Sequence, residues 1–109
     1  MKCISVPVSK DAAQRLDFDE SIDGDLFEVT LTDEQFNELF RTGVLSELNK
    51  LIEINIDEFE DEKIVGNRDL KIARRLLGQL SASDSVKVEV LLSQIDKAIE
   101  YDTGVYFYF

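Results

Sequence analysis

Gly104-Val105-Tyr106-Phe107-Tyr108-Phe109 sets Val105, Phe107 and Phe109 against Tyr106 and Tyr108 in strict alternation. A period of two puts the two sets on opposite faces of a strand. Both faces are bulky and largely apolar, so the segment reads as a strand interior to its sheet, where both find cover. Just before it, Val88, Leu91, Leu92, Ile95, Ala98 and Ile99 recur at helical spacing and predict a helix over residues 85–101. Ser83 or Asp84 is placed to cap that helix, at the end of the connector Ser81-Ala82-Ser83-Asp84.

Working back along the chain, Leu70, Ala73, Leu76, Leu77 and Leu80 line one face of a helix predicted over 68–80. Asn67 is its N-cap, after the break at Gly66, and Gly78 weakens it by ~1 kcal/mol relative to Ala. A helical segment over about 44–53 carries Leu45, Leu48, Leu51 and Ile52, and the helix before it carries Phe36, Leu39 and Phe40. Thr32 and Gln35 form a T-x-x-Q capping box that opens this earlier helix, and Thr42-Gly43 closes it. Residues 26–31 (LFEVTL) read as a strand with Phe27, Val29 and Leu31 on one face. In residues 2–8 (KCISVPV), Ile4, Val6 and Val8 share a face. Pro7 cannot donate to a ladder, so that first strand lies at an edge or ends there. Residues 9–24 read as a polar stretch, and the acidic stretch after residue 53 as a loop or a frayed helical extension.

The resulting order, β-β-α-α-α-α-β, predicts an α+β domain spanning residues 1–109: a small, mostly antiparallel sheet of about three strands with about four helices packed on one side. Hydrophobic residues are 44% of the 109, enough for one core without a disulfide or metal. The single cysteine, Cys3, excludes an internal disulfide and reads as a small buried hydrophobe. With no apolar run near the ~20 residues a bilayer requires and no secretory leader pattern, the expectation is a soluble, cytoplasmic protein with no membrane partner.

Charge is distributed unevenly. The net charge is −11, from 12 basic and 23 acidic residues, and residues 1–62 hold 17 of the acidic groups against 5 basic ones. Two runs dominate: Asp17, Asp19, Glu20, Asp23 and Asp25, then Asp57, Glu58, Glu60, Asp61 and Glu62. Such a field repels phosphates, which disfavours direct nucleic-acid binding, and attracts a basic protein. It also serves solubility alone in many proteins. Asp17–Asp25 does not make a calcium loop: begun at Asp17, Ile22 stands where the sharp turn needs Gly; begun at Asp19, Thr30 stands where the bidentate Glu belongs. Without any His, the usual base for Ser or Cys nucleophiles and the commonest zinc partner are missing. No Gly-rich phosphate loop occurs, so neither an enzyme nor a cofactor is expected. Arg68, Lys71, Arg74 and Arg75 put a basic edge on the 68–80 helix; it could contact phosphate, but internal pairing, with the 57–62 run as one candidate, is the expected role.

An amphipathic helix leading into Asp102-Thr103-Gly104-Val105-Tyr106-Phe107-Tyr108-Phe109 resembles the close of some small bacterial immunity proteins of polymorphic and contact-dependent growth-inhibition toxin systems. The resemblance covers about eight residues. It implies a cytoplasmic protein that binds one cognate toxin, often a nuclease with a basic cleft, and covers its active site. Asp57, Glu58, Glu60, Asp61 and Glu62 are then the first candidate contacts, with Phe59 as an apolar anchor, and Asp17, Asp19, Glu20, Asp23 and Asp25 the second. The rival readings are a generic protein-interaction module and a DNA-mimic inhibitor.

Overall fold

A computed structural model of the protein describes residues 2–80 and 86–109, with only the backbone of Leu80, Val86 and Lys87 included. The expected connector 81–84, its capping residue and the Leu80 side chain lie outside the described residues. In chain order the elements are β1 (Lys2–Pro7), α1 (Lys10–Asp17), β2 (Leu26–Leu31), α2 (Asp33–Arg41), α3 (Val44–Ile52), β3 (Asp61–Val65), α4 (Asn67–Leu80), α5 (Val86–Glu100) and β4 (Gly104–Tyr108). The fold is α+β, with one open antiparallel sheet ordered β2-β1-β4-β3 and the main helical layer on one side.

The two elements beyond the expected set are α1 and β3. Helix α1 occupies the stretch read as polar coil. Ser9 caps it by accepting from the Ala12 amide at 3.0 Å, and Ala12 is its one fully buried residue. β3 occupies the end of the second acidic run, which is therefore neither a loop throughout nor a helical extension. At α2 the capping box is formed in both directions: Thr32 Oγ1 accepts from the Gln35 amide and Gln35 Oε1 accepts from the Thr32 amide. α4 begins one residue earlier than expected. Gly66, at φ +92°, supplies the carbonyl for its first bond, so Asn67 is the first helical residue.

β4 is interior, as its apolar pattern demands; β1 ends at Pro7, one of the two expected outcomes, and is β4's neighbour rather than an edge. The strand tolerates Pro7 because the β1–β4 ladder pairs only Cys3 to Ser5 with Tyr108 to Tyr106, leaving the missing N–H beyond its last pair. The Pro7 carbonyl instead accepts from Thr103 Oγ1 at 2.8 Å. Ile4, Val6, Leu31, Ile64, Val105 and Phe107 face the helices and pack on Phe36, Leu39, Leu70, Leu77, Leu91 and Ile95 in one continuous core. Phe36 meets Phe109 edge-on at 4.9 Å between ring centroids. Phe40 and Leu51, expected inside, are 48% and 51% exposed, because the short helices α2 and α3 bury a narrower stripe than their apolar pattern allows.

One polar residue lies in that core. Gln94 of α5 is 1% exposed, and its Nε2 donates to the carbonyls of Ile4 (3.0 Å) and Phe27 (2.8 Å), clasping β1 to β2 from below. Its Oε1 has no partner among the described residues. Two such bonds contribute roughly 1–3 kcal/mol together, about what an unsatisfied buried acceptor costs. Gln94 therefore links α5 to both β1 and β2 at one point of the core.

Gly104 makes the β3–β4 contact possible. A Cβ there would stand 2.6 Å from Val65 Cγ1 and 2.8 Å from the Ile64 carbonyl oxygen. The Val65 side chain can rotate away, but the Ile64 carbonyl belongs to the ladder. Gly104→Ala is expected to cost about 1–3 kcal/mol of stability in urea unfolding. A change within about 0.5 kcal/mol, the usual span for an innocuous surface substitution, would contradict this packing.

Candidate functional site

Because strands alternate, the residues that do not enter the core share the opposite face of the sheet. Cys3 and Ser5 of β1, Tyr106 and Tyr108 of β4, Asp61 and Lys63 of β3 and Glu28 of β2 lie side by side there by register. This face floors an open cleft of about 860 Å³. Leu16 and Asp17 at the end of α1, with Asp19 and Ser21 just after it, form one wall; Asp61, Glu62 and Lys63 form the other. Members of both acidic runs, more than forty positions apart in sequence, thus border one cavity.

The centre of the floor, on β1 and β4, is built from neutral donors. Tyr106 is nearly buried, and its hydroxyl points to Asp17 Oδ1 at 3.5 Å, the outer limit of a hydrogen bond. Burial and the Asp17 carboxylate raise its pKa. Tyr108 is pushed up to about 12, chiefly by burial, with the Tyr106 phenol and Asp61 adding to it. Both therefore stay protonated at neutral pH and present O–H groups among carboxylates. Cys3 is half-buried on this face rather than in the core. Its sulfur lies 3.2 Å from Ser5 Oγ and 3.4 Å from Glu28 Oε2, and burial raises the thiol pKa. A protonated thiol and two protonated phenols supply hydrogen bonds rather than a nucleophile. Lys63 is the basic group in the lining; its Nζ sits 3.8 Å from Asp17 Oδ1 and 5.7 Å from the Tyr106 ring centroid.

The acidic residues divide into distinct roles. In the first run, Asp17 and Asp19 line the cleft, while Glu20 and Asp23 are exposed beside it. Asp25 is buried and committed to the fold. It takes two bonds from Arg15, Nε at 2.8 Å and Nη2 at 2.7 Å, and a third from the Ile22 amide at 3.0 Å. This clasp ties α1 to the start of β2 and is closed to a partner. In the second run, Asp61 and Glu62 line the cleft, and Asp57, Glu58, Phe59 and Glu60 form the turn leading into it. Lys2 anchors that turn: its Nζ lies 3.1 Å from both Glu58 Oε2 and Asp33 Oδ1, and within 5.8 Å of the Phe59 ring centroid. Phe59 is 86% exposed at φ +68°, a left-handed conformation that costs an aromatic residue ~1–3 kcal/mol. Phe18 and Ile22, 67% and 62% exposed, give the first run its own apolar points.

The basic edge of α4 pairs internally at one position, but among the described residues it forms no ion pair with the 57–62 run. Arg74 Nε pairs instead with Asp96 Oδ1 of α5 at 2.7 Å, and Arg68, Lys71 and Arg75 have no ion pair among the described residues. No group of three or more potential metal ligands is assembled among the described residues, and no described helix is long and apolar enough to cross a membrane. Comparison of the chain with protein-family models, with curated proteins and with solved structures returns no match.

The Arg15 clasp holds Asp25 at about 2, with the Ile22 amide adding to it. An unfolded Asp titrates near 3.9. A depressed folded pKa means that this contribution is complete above about pH 4 and is lost as pH falls toward 2. Urea midpoints at pH 5 and pH 2.5 should therefore differ less for Asp25→Asn than for the parent, with the variant weaker at pH 5. Equal pH sensitivity of the two would remove the clasp from the account.

Proposed function

We propose that this chain is a non-catalytic acidic binding protein that captures a basic protein in the cleft on the open sheet face, and that it serves as an immunity protein neutralising a cognate bacterial toxin in the cytoplasm. The observation that carries this reading is the convergence of Asp17 and Asp19 with Asp61 around one cleft, Glu62 lining it with a carboxylate already committed to the Lys63 and Asn55 amides. A toxin cleft built to hold a polyanion, such as a nuclease active site, meets in these walls a fixed array of carboxylates in place of phosphates. Electrostatic steering then speeds encounter. Phe59, Phe18 and Ile22 are the exposed apolar anchors that slow release.

A DNA mimic would spread its charge along an elongated face. This molecule measures 36 × 29 × 23 Å, and its acidic runs meet at one cleft. The other reading is a generic interaction module in which charge serves solubility, and it is favoured by one observation: Phe40 and Leu51 stand half-exposed on α2 and α3.

Immobilised protein, challenged with extract of its source cell, separates these readings. The parent chain should retain a basic protein at 0.1 M salt and release it at 1 M, where the screening length falls from ~10 to ~3 Å. The Asp17→Asn, Asp19→Asn, Asp61→Asn triple variant should retain at least tenfold less. Undiminished capture by the triple variant, with capture lost instead in Phe40→Ser, Leu51→Ser, would replace the cleft with the helical surface.

A further inference from the structure

The sheet has two edges, and they are finished differently. Antiparallel pairs alternate between residues whose N–H and C=O groups face the neighbour and residues whose groups face away. In β2 the phase is set by two contacts. The Val8 amide bonds the Asp25 carbonyl at 2.8 Å. Gln94 Nε2 reaches the Ile4 and Phe27 carbonyls together, which requires both to lie in the gap between β1 and β2. Phe27, Val29 and Leu31 therefore bond β1, and the backbone groups of Glu28 and Thr30 point off the sheet. Both residues are exposed, and their outward backbone groups have no partner among the described residues.

At β3 the same alternation turns the Lys63 amide outward, but Glu62 Oε1 accepts from it at 2.9 Å while Glu62 Oε2 accepts from the Asn55 amide at 3.0 Å. Glu62 thus caps the central outward amide of that edge, the position a docking strand would need first. Natural sheets usually block both edges; here β2 carries no proline, and among the described residues no side chain caps the outward groups of Glu28 and Thr30.

We propose that β2 is the docking edge for an extended segment of the basic partner, which adds antiparallel to it as a fifth strand and alternates basic with apolar residues. This rests on the reading of the cleft as the partner's site and says how the partner enters it. The antiparallel sense continues that of every pair in the sheet. Residues opposite Glu28 and Thr30 project over the cleft face, where Glu28 and Asp17 attract positive charge. Those between them project over the helix face, beside half-buried Phe27 and Val29 and the Tyr101 ring, 5.2 Å from that of Phe27. Main-chain bonds then give affinity and the alternation gives specificity. A second copy is a poorer occupant: pairing β2 with itself about Glu28 sets like charges opposite each other in a chain of net charge −11.

The probe is a synthetic heptapeptide alternating lysine and valine, followed by amide exchange and by titration at low salt. Binding should slow exchange of the Glu28 and Thr30 amides at least tenfold. Methylating the lysine amides of the peptide should weaken binding at least tenfold, and a glutamate–valine peptide should not bind. Thr30→Pro should abolish binding with the thermal midpoint little changed, since the Thr30 N–H serves no internal ladder bond. Binding that leaves Glu28 and Thr30 unprotected and survives methylation would overturn the strand-addition proposal while sparing the cleft reading. So would the absence of binding to the parent chain, or a dimer of this protein that Thr30→Pro dissolves. Loss of partner capture in the Asp17, Asp19, Asp61 variant tests the cleft reading separately.

Discussion

Strand β4 is hydrogen-bonded on both sides, and the rest of the architecture depends on how its two faces are covered. Val105 and Phe107, with Phe109 just beyond, meet the helical layer, and Tyr106 and Tyr108 meet the opposite face. Pairing β1 on one side and β3 on the other draws the first and third strands of the chain to within one strand of each other. The second acidic run leads into β3, and the first follows α1, directly downstream of β1. Placing an apolar strand between them therefore brings two distant sets of carboxylates to one cleft. Gly104 permits the close β3–β4 approach and Gln94 fixes the opposite edge, so the floor is held from both ends.

The repulsion that this assembly gathers is managed locally. Arg15 neutralises Asp25, Lys2 draws Glu58 and Asp33 together, and Lys63 lies against Asp17. Asp19 and Asp61 have no ion pair among the described residues and remain hydrated on the walls. Phenols kept protonated by burial and by the Asp17 and Asp61 carboxylates complete a surface of neutral donors and charged acceptors. Such a surface suits ammonium and guanidinium groups, which pair with its carboxylates by charge-assisted hydrogen bonds.

Much of the fold was legible in the sequence, and the failures have physical causes. Long stripes such as Leu91–Ile95–Ala98 and the Thr32–Gln35 capping box carry strong local signals, and each element so marked is present. Helix α1 buries a single alanine, so its apolar stripe is almost absent; the usable signal was Ser9 followed by a run of good helix formers. β3 is an edge strand with Ile64 as its one buried side chain, and its charges made it resemble a loop. Gln94 sits on the core face of α5, where pattern reading assigns polar residues to solvent. At the site, both acidic runs were visible, but their convergence depends on strand order, which local sequence does not encode. The structural role of Asp25 was hidden because its partner Arg15 lay in the unrecognised helix.

The convergence of the two runs on the tyrosine floor is the central claim, and carbon-13 NMR titration of the tyrosine ring carbons tests it most directly. Asp17→Asn should lower the pKa of Tyr106, and Asp61→Asn should lower that of Tyr108 from its parent value of about 12. Tyrosines that titrate at their ordinary value and ignore both substitutions would contradict the shared cleft.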